Sequence, residues 1–214
     1  MTHNLLTSEE FIFFTTREFA LAAEVSVSAA SKQLKRLGSK DFIVHVVRGI
    51  WANTSHPYFN PLGCVPYLLG NEQGYVSFLT ALHRHGMLSQ IPHTTQVATT
   101  GHSRKLKTPI GVFEFFQLKP EMMTQGIEWS ETRVPYRMAT PEKALLDVFY
   151  IATRKKKRFS SLPELEIEST AFKYRKFNTL LKKTITSRQI ANAIMNRAKK
   201  LPAFPHAVGG NPVI

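Results

Sequence analysis

Residues 15–53 read TTREFALAAEVSVSAASKQLKRLGSKDFIVHVVRGIWAN, and their order of local signals decides the fold of the N-terminal part. Thr15 with Glu18 three residues on is a capping pair: the hydroxyl reaches forward and the carboxylate back, satisfying backbone donors that a helix start leaves open. Phe19, Ala20, Ala22 and Ala23 give this helix an apolar side whose small residues let a second helix cross closely. Glu24-Val25-Ser26 supplies the bend, and Ser26 caps a second helix expected over about residues 27–37. At about 100° per residue, Val27, Ala30, Leu34 and Leu37 share one sector, whereas Ser28, Ser31, Lys32 and Lys35 share another pointing well away from it. Gly38 is expected to stop the helix. Residues 42–47 (FIVHVV) then have strand composition, Arg48-Gly49 makes a turn, and Ile50-Trp51-Ala52 returns as a second strand. Two short helices, a tight turn and a small hairpin in this order form a winged helix-turn-helix.

One face of the second helix packs and the other is free to meet DNA. Short hydroxyls at Ser28 and Ser31 can approach base edges or phosphates, while Lys32, Lys35 and Arg36 supply the charge a polyanion attracts. Arg48 at the hairpin tip is expected against a phosphate or in the minor groove. A basic face is also what a merely solvated helix shows, so the weight rests on the whole pattern.

Length and composition bound the rest. A chain of 214 residues has room for the small N-terminal module and a second unit with its own core. Cys64 is the only cysteine and cannot form an internal disulfide. No charged-then-apolar leader opens the chain, and residues 11–14 and 43–47 are far too short for the roughly 20 residues a membrane helix needs. A cytoplasmic protein without a membrane span is expected. The net charge is +13, yet residues 1–70 hold six basic against five acidic side chains, so the remainder carries +12. Such a field draws in DNA, RNA or an acidic protein and strengthens phosphate binding without adding sequence information. Its densest run, Arg154-Lys155-Lys156-Lys157-Arg158, follows a helix whose dipole favours cations there, and such runs are more often solvated loops than sites.

Residues 54–61 (TSHPYFNP) interrupt both periodicities and mark a join, with aromatics that suit a packed connector. Pro61 to Leu69 reads as a short helix and residues 70–74 as a turn. Ser77 is expected to cap a helix carrying Leu79, Ala81, Leu82 and His85 and ended by Gly86. Residues 95–100 and 111–116 read as an antiparallel pair joined by an exposed basic connection through Arg104, Lys105 and Lys107. A strand from Val134 to Met138 precedes a helix with Thr140 as cap and Pro141 at its first position. Two more helices follow, one over about residues 171–183 and one opened by Thr186 with Gln189 and running to about Lys200. The expected class is α+β: a winged helix-turn-helix over residues 1–56, then a mixed α/β domain over residues 57–214 with a small sheet and C-terminal helices.

Behind the winged helix, Gly74-Tyr75-Val76-Ser77-Phe78-Leu79-Thr80-Ala81-Leu82-His83-Arg84-His85-Gly86 and Met138-Ala139-Thr140-Pro141-Glu142-Lys143-Ala144-Leu145-Leu146-Asp147 resemble the AbiEi-type antitoxins of type IV toxin–antitoxin systems, in order and over nearly the whole chain. The resemblance implies an antitoxin that represses its own operon through the N-terminal domain and counters a nucleotidyltransferase-like toxin through the C-terminal domain, without a tight complex. It implies double-stranded DNA as partner, with contacts at Ser28, Ser31, Lys32, Lys35, Arg36 and Arg48, and no catalytic residue, cofactor or metal. The two segments read as mainly structural, through packing of Ala81 and Leu82 and of Ala144, Leu145 and Val148. The basic run after Tyr150 goes beyond the family pattern.

Enzyme chemistry is weakly encoded. His83, His85, His93 and His102 suggest a metal site, but His83 and His85 lie about 200° apart on a helix and could not share an ion there. Glu114, Glu142, Lys143 and Asp147 are the raw material of a metal-dependent nuclease. Against this, Glu142 already suits the helix dipole and Lys143 reads as an ordinary surface residue. No phosphate-cradling glycine loop or G-x-S-x-G elbow is present. Two alternatives to the antitoxin thus stand: a nuclease delivered by a winged helix, and a one-component regulator with a ligand-sensing C-terminal domain.

Overall fold

The computed structural model describes residues 5–154, 159, 162–166, 172–201 and 204. The fold is mixed α+β, with seven α-helices and two sheets among the described residues. In chain order the strands are β1 (Phe13–Thr15), β2 (Val44–Val47), β3 (Ile50–Ala52), β4 (Gly74–Val76), β5 (Thr95–Thr99), β6 (Arg104–Thr108), β7 (Gly111–Gln117), β8 (Ile127–Trp129) and β9 (Arg137–Ala139). The helices are α1 (Thr16–Ala22), α2 (Val27–Gly38), α3 (Val65–Leu69), α4 (Phe78–Arg84), α5 (Pro141–Arg154), α6 (Tyr174–Thr184) and α7 (Arg188–Ala198). One sheet has the order β1-β3-β2 and the other β6-β7-β5-β4-β9-β8. Two compact units interleave along the chain: Met1–Val76, His93–Gln117 and Trp129–Arg137 make the first, and Ser77–Pro92, Leu118–Glu128 and Met138–Ile214 the second.

In the first unit, α1 opens with the full capping box between Thr15 and Glu18, and Ser26 caps α2 by accepting the Ala29 N–H at 3.2 Å. Ala30 and Leu34 of α2 pack in one cluster with Phe11, Phe14, Phe19, Ala20, Ile43 and Trp51. Two expected core residues instead face solvent. Ala22 is exposed because Phe19, Ala20 and Ala23 share the packing side, and Val27 is 52% exposed because the packed contact of α2 begins one turn further in, at Ala30. The helix ends at Gly38 as expected, with the glycine as its last residue and Ser39 as its cap. The bare Cα of Gly38 is used by Trp51, whose ring lies 3.4 Å from where a Cβ would stand. The left-handed turn falls at Asp41 instead, at φ 58°.

The hairpin gains a third strand absent from the sequence reading. β1 pairs antiparallel with β3, Phe13 opposite Ala52 and Thr15 opposite Ile50. Further along, β5 and β7 are parallel, not antiparallel, with Thr95 opposite Phe113 and Thr99 opposite Gln117. The expected basic connection is itself strand β6, which hairpins antiparallel onto β7 and takes the sheet edge. Parallel pairing of β5 and β7 needs a crossover, and β6 lies within it.

In the second unit, α5 is buried from Glu142 through Ala152, with α4, α6 and α7 packed against it. Thr140 caps it weakly, its hydroxyl accepting the Lys143 N–H at 3.4 Å. Helix α6 begins at Tyr174, and α7 is capped by Ser187, not Thr186, through the Ile190 N–H at 3.4 Å. Lys155 to Arg158 of the basic run and the tail from residue 205 lie outside the described residues.

Candidate nucleic-acid interface

The exposed side of α2 is the one the sequence singled out. Ser28, Lys32, Lys35 and Arg36 are exposed and Ser31 is half-buried at the margin. Ser28 to Arg36 spans about 12 Å of helix axis, and Ser31, Lys32 and Lys35 follow Ser28 at the three- and four-residue steps that keep side chains on one side. The helix holds no acidic residue, and its two last-turn cations, Lys35 and Arg36, lie where the dipole favours them. Among the described residues the ion pairs are Arg104 with Glu72, Arg133 with Glu9 and Lys143 with Asp147. The cations of α2 take part in none of them, so a bound phosphate would not have to break a pair.

Arg48 is exposed at the hairpin tip. The tip is fixed at both ends: Gly49 takes φ 80°, a conformation a side chain would resist, and its carbonyl accepts the Thr16 N–H at 2.9 Å. Trp51 donates its Nε1–H to the Thr16 hydroxyl at 3.1 Å and packs against His45 with ring centroids 4.7 Å apart and planes tilted by 53°. Hairpin and α1 are thus tied at the residue where the first helix begins. All six predicted contact residues sit on two elements of one unit whose shared core is Ala30, Leu34, Ile43 and Trp51.

The nuclease residues are used otherwise. Lys143 is buried, which corrects its reading as a surface side chain, and it pairs with Asp147 one turn on, both side chains 0% exposed. Burial pushes the lysine pKa down, while Asp147 pulls it back up. The second oxygen of Asp147 accepts the Ser77 hydroxyl at 2.7 Å, so the hydroxyl of Ser77, the expected cap of α4, makes no cap bond to that helix, and only the Ser77 carbonyl joins it, accepting the Ala81 N–H at 3.2 Å. Glu142 accepts the Lys173 backbone N–H at 2.9 Å, and Glu114 lies on β7 opposite Lys105. His83 donates from Nδ1 to the Leu88 carbonyl at 2.8 Å and His85 from Nε2 to the Ala139 carbonyl at 2.7 Å. Through Ser77 with Asp147 and His85 with Ala139, the two segments that carry the resemblance are bonded to each other.

Two helices of the second unit add a surface that the sequence reading did not isolate. Residues 172–201 contain nine basic and no acidic side chains. On α6 the exposed stripe is Arg175, Lys176, Thr179, Lys182 and Lys183, while Phe177, Leu180, Leu181 and Thr184 are buried. On α7, Arg188, Gln189, Asn192 and Asn196 are exposed. An ordinary solvated face mixes both signs of charge, and these stripes offer only cations, amides and hydroxyls. The signal was legible as a run of 30 residues without a carboxylate, but it is more dispersed than the five-residue run that drew attention instead.

The chain matches no protein family model and no curated protein. No helix among the described residues is long and apolar enough to cross a membrane.

Proposed function

We propose that the chain is a DNA-binding transcriptional regulator and antitoxin. In this reading residues 1–56 form a winged helix that binds the operator of its own toxin–antitoxin operon, and residues 57–214 counter a nucleotidyltransferase-like toxin without a tight complex. The observation that carries the DNA-binding half is α2: a helix buried through Ala30 and Leu34 that turns Ser28, Ser31, Lys32, Lys35 and Arg36 outward, beside a hairpin tipped by Arg48. Such a helix enters the major groove, hydroxyls near base edges and cations near phosphates, while the hairpin arginine reaches the flanking backbone. The carboxylate-free stripes of α6 and α7 support a further, sequence-independent attraction to phosphate. The antitoxin half rests on the two resemblance segments. It assigns no catalytic residue and no cofactor, and its setting is the cytoplasm.

The test is binding of the full chain to DNA from upstream of its own gene, in a salt series with unrelated DNA as competitor. Specific binding is expected. Combined Lys32→Ala, Lys35→Ala and Arg36→Ala should weaken it and flatten the log-log salt dependence by about 0.9 per lost phosphate contact. Unchanged operator affinity in that variant would overturn the placement. Rescue of growth when the toxin and the full chain are expressed together tests the antitoxin half.

A further inference from the structure

The six-stranded sheet ends on a basic edge. Among the described residues β6 pairs with β7 alone, so its other side is open. Its sequence, Arg104-Lys105-Leu106-Lys107-Thr108, holds three cations and no carboxylate. Arg104 is taken by Glu72. Lys105 and Lys107 are exposed and belong to none of the ion pairs among the described residues.

The hairpin register fixes what this edge offers. Thr108 stands opposite Gly111 across the two-residue loop Pro109-Ile110, and a pair that closes so short a loop exchanges both its backbone hydrogen bonds. Hydrogen-bonded and open pairs alternate along an antiparallel ladder. Thr108, Leu106 and Arg104 therefore turn their backbone groups toward β7, and Lys105 and Lys107 turn theirs to the open side. Successive side chains alternate between the faces of a strand, so the two ammonium groups share one face and Leu106 lies on the other.

An open edge is a template for another strand, and lysines there guard against unwanted pairing. The guard is selective. Like charges directly opposite each other destabilise a pair of strands and opposite charges stabilise it, so the two lysines repel a second copy of β6 and attract a strand with carboxylates at the same spacing. We propose that the outer edge of β6 is a docking site for an extended acidic segment of a partner protein, which adds to the sheet as a further strand. Its carboxylates stand opposite Lys105 and Lys107, and an apolar side chain between them lies against Leu106. Backbone hydrogen bonds at the two lysines supply affinity, and the alternation of side chains supplies specificity. The site stands apart from the DNA-binding and antitoxin reading.

The test is fluorescence anisotropy of the full chain with a labelled, end-blocked peptide of alternating glutamate and valine. Its counterpart of alternating lysine and valine, and a scramble of the acidic peptide with its glutamates adjacent, serve as controls. Saturable binding of the alternating acidic peptide is expected, with each control weaker by about five-fold or more. Combined Lys105→Gln and Lys107→Gln should weaken it by about five-fold or more as well. Both lysines are exposed, so an unchanged melting temperature separates lost binding from lost folding. Hydrogen exchange gives a readout that charge attraction alone would not move: the Lys105 and Lys107 amides should become protected when the acidic peptide is bound. Absence of saturable binding overturns the proposal. So does equal binding of the scramble, exchange in β6 that the peptide leaves unchanged, or affinity that the double variant keeps. Displacement of the peptide by unrelated duplex DNA would assign the two lysines to phosphate and overturn it too.

Discussion

Lys143 is an expensive residue to place where it stands, since an ammonium taken out of water loses its hydration and must be compensated inside the protein, here by the Asp147 carboxylate. Lys143→Met should therefore cost about 3–5 kcal/mol, because it strands the Asp147 carboxylate without its counter-charge. Adding Asp147→Leu and Ser77→Ala should recover much of the loss, since the carboxylate stranded by the first change and the hydroxyl bonded to it are then removed together. Urea denaturation of the three proteins checks both statements, and a small effect of Lys143→Met alone would contradict the buried pairing. The sequence held this information in a form the local rules passed over. Lysine is rarely buried, so a surface position was the natural reading of a first-turn lysine. But residues 144–146 and 148–152 (ALL and VFYIA) are apolar on every side of the helix, and such a helix is enclosed all round. A lysine and an aspartate four residues apart inside it had to meet each other.

At the scale of the element, the proposed function assigns two kinds of DNA contact to α2 and the hairpin beside it. Ser28→Ala and Ser31→Ala should alter which operator bases are preferred while leaving the salt slope as it is, whereas Arg48→Ala should lower the slope by about 0.9 with little change in preference. Competition with single-base operator variants at two salt concentrations reads both, and a slope change from the serine variants would reverse the assignment. Signals that act within one turn of helix were legible: the Thr15–Glu18 box, the Ser26 cap and the Arg48-Gly49 turn are all present. Signals that depend on distant partners were not. Strand β1 is only three residues long and runs straight into the cap of α1, and its partner β3 lies more than thirty residues on. The parallel pairing of β5 with β7 has no local mark either. The alternation in β6 was on view, because Lys105 and Lys107 are exposed while Arg104, Leu106 and Thr108 are half-buried, a period of two that reads as a strand with one wet face.

For the whole molecule the sign of the charge is less telling than its placement. Glu72 shows the point: it accepts from Arg104 and from Thr99 at 2.8 Å each, and Arg104 also donates to the Leu68 carbonyl and lies over the Phe115 ring. Burial acts to raise the Glu72 pKa, but the hydrogen bonds from Arg104 and Thr99 outweigh it and hold the carboxyl below its ordinary 4.5. A folded value below the unfolded one means that this contribution is complete above about pH 4.5 and is lost as the pH falls through the lower folded value. The stability difference between the native protein and Glu72→Gln should thus be level near neutral pH and close in acid, which urea midpoints in a pH series would show. A difference that widened in acid would mean that the carboxylate is not held by Arg104. The interleaving of the two units carries a consequence for synthesis. The unit that holds α2 takes in Trp129–Arg137, so a ribosome must travel far past Arg48, the last candidate contact residue, before that unit's chain is complete. Until then a nascent chain already displays every candidate base contact on a body still lacking strands β5 and β7. Under the proposed function, completion of the DNA-binding unit would wait on residues 93–117 and 129–137, which hold none of the six candidate contacts.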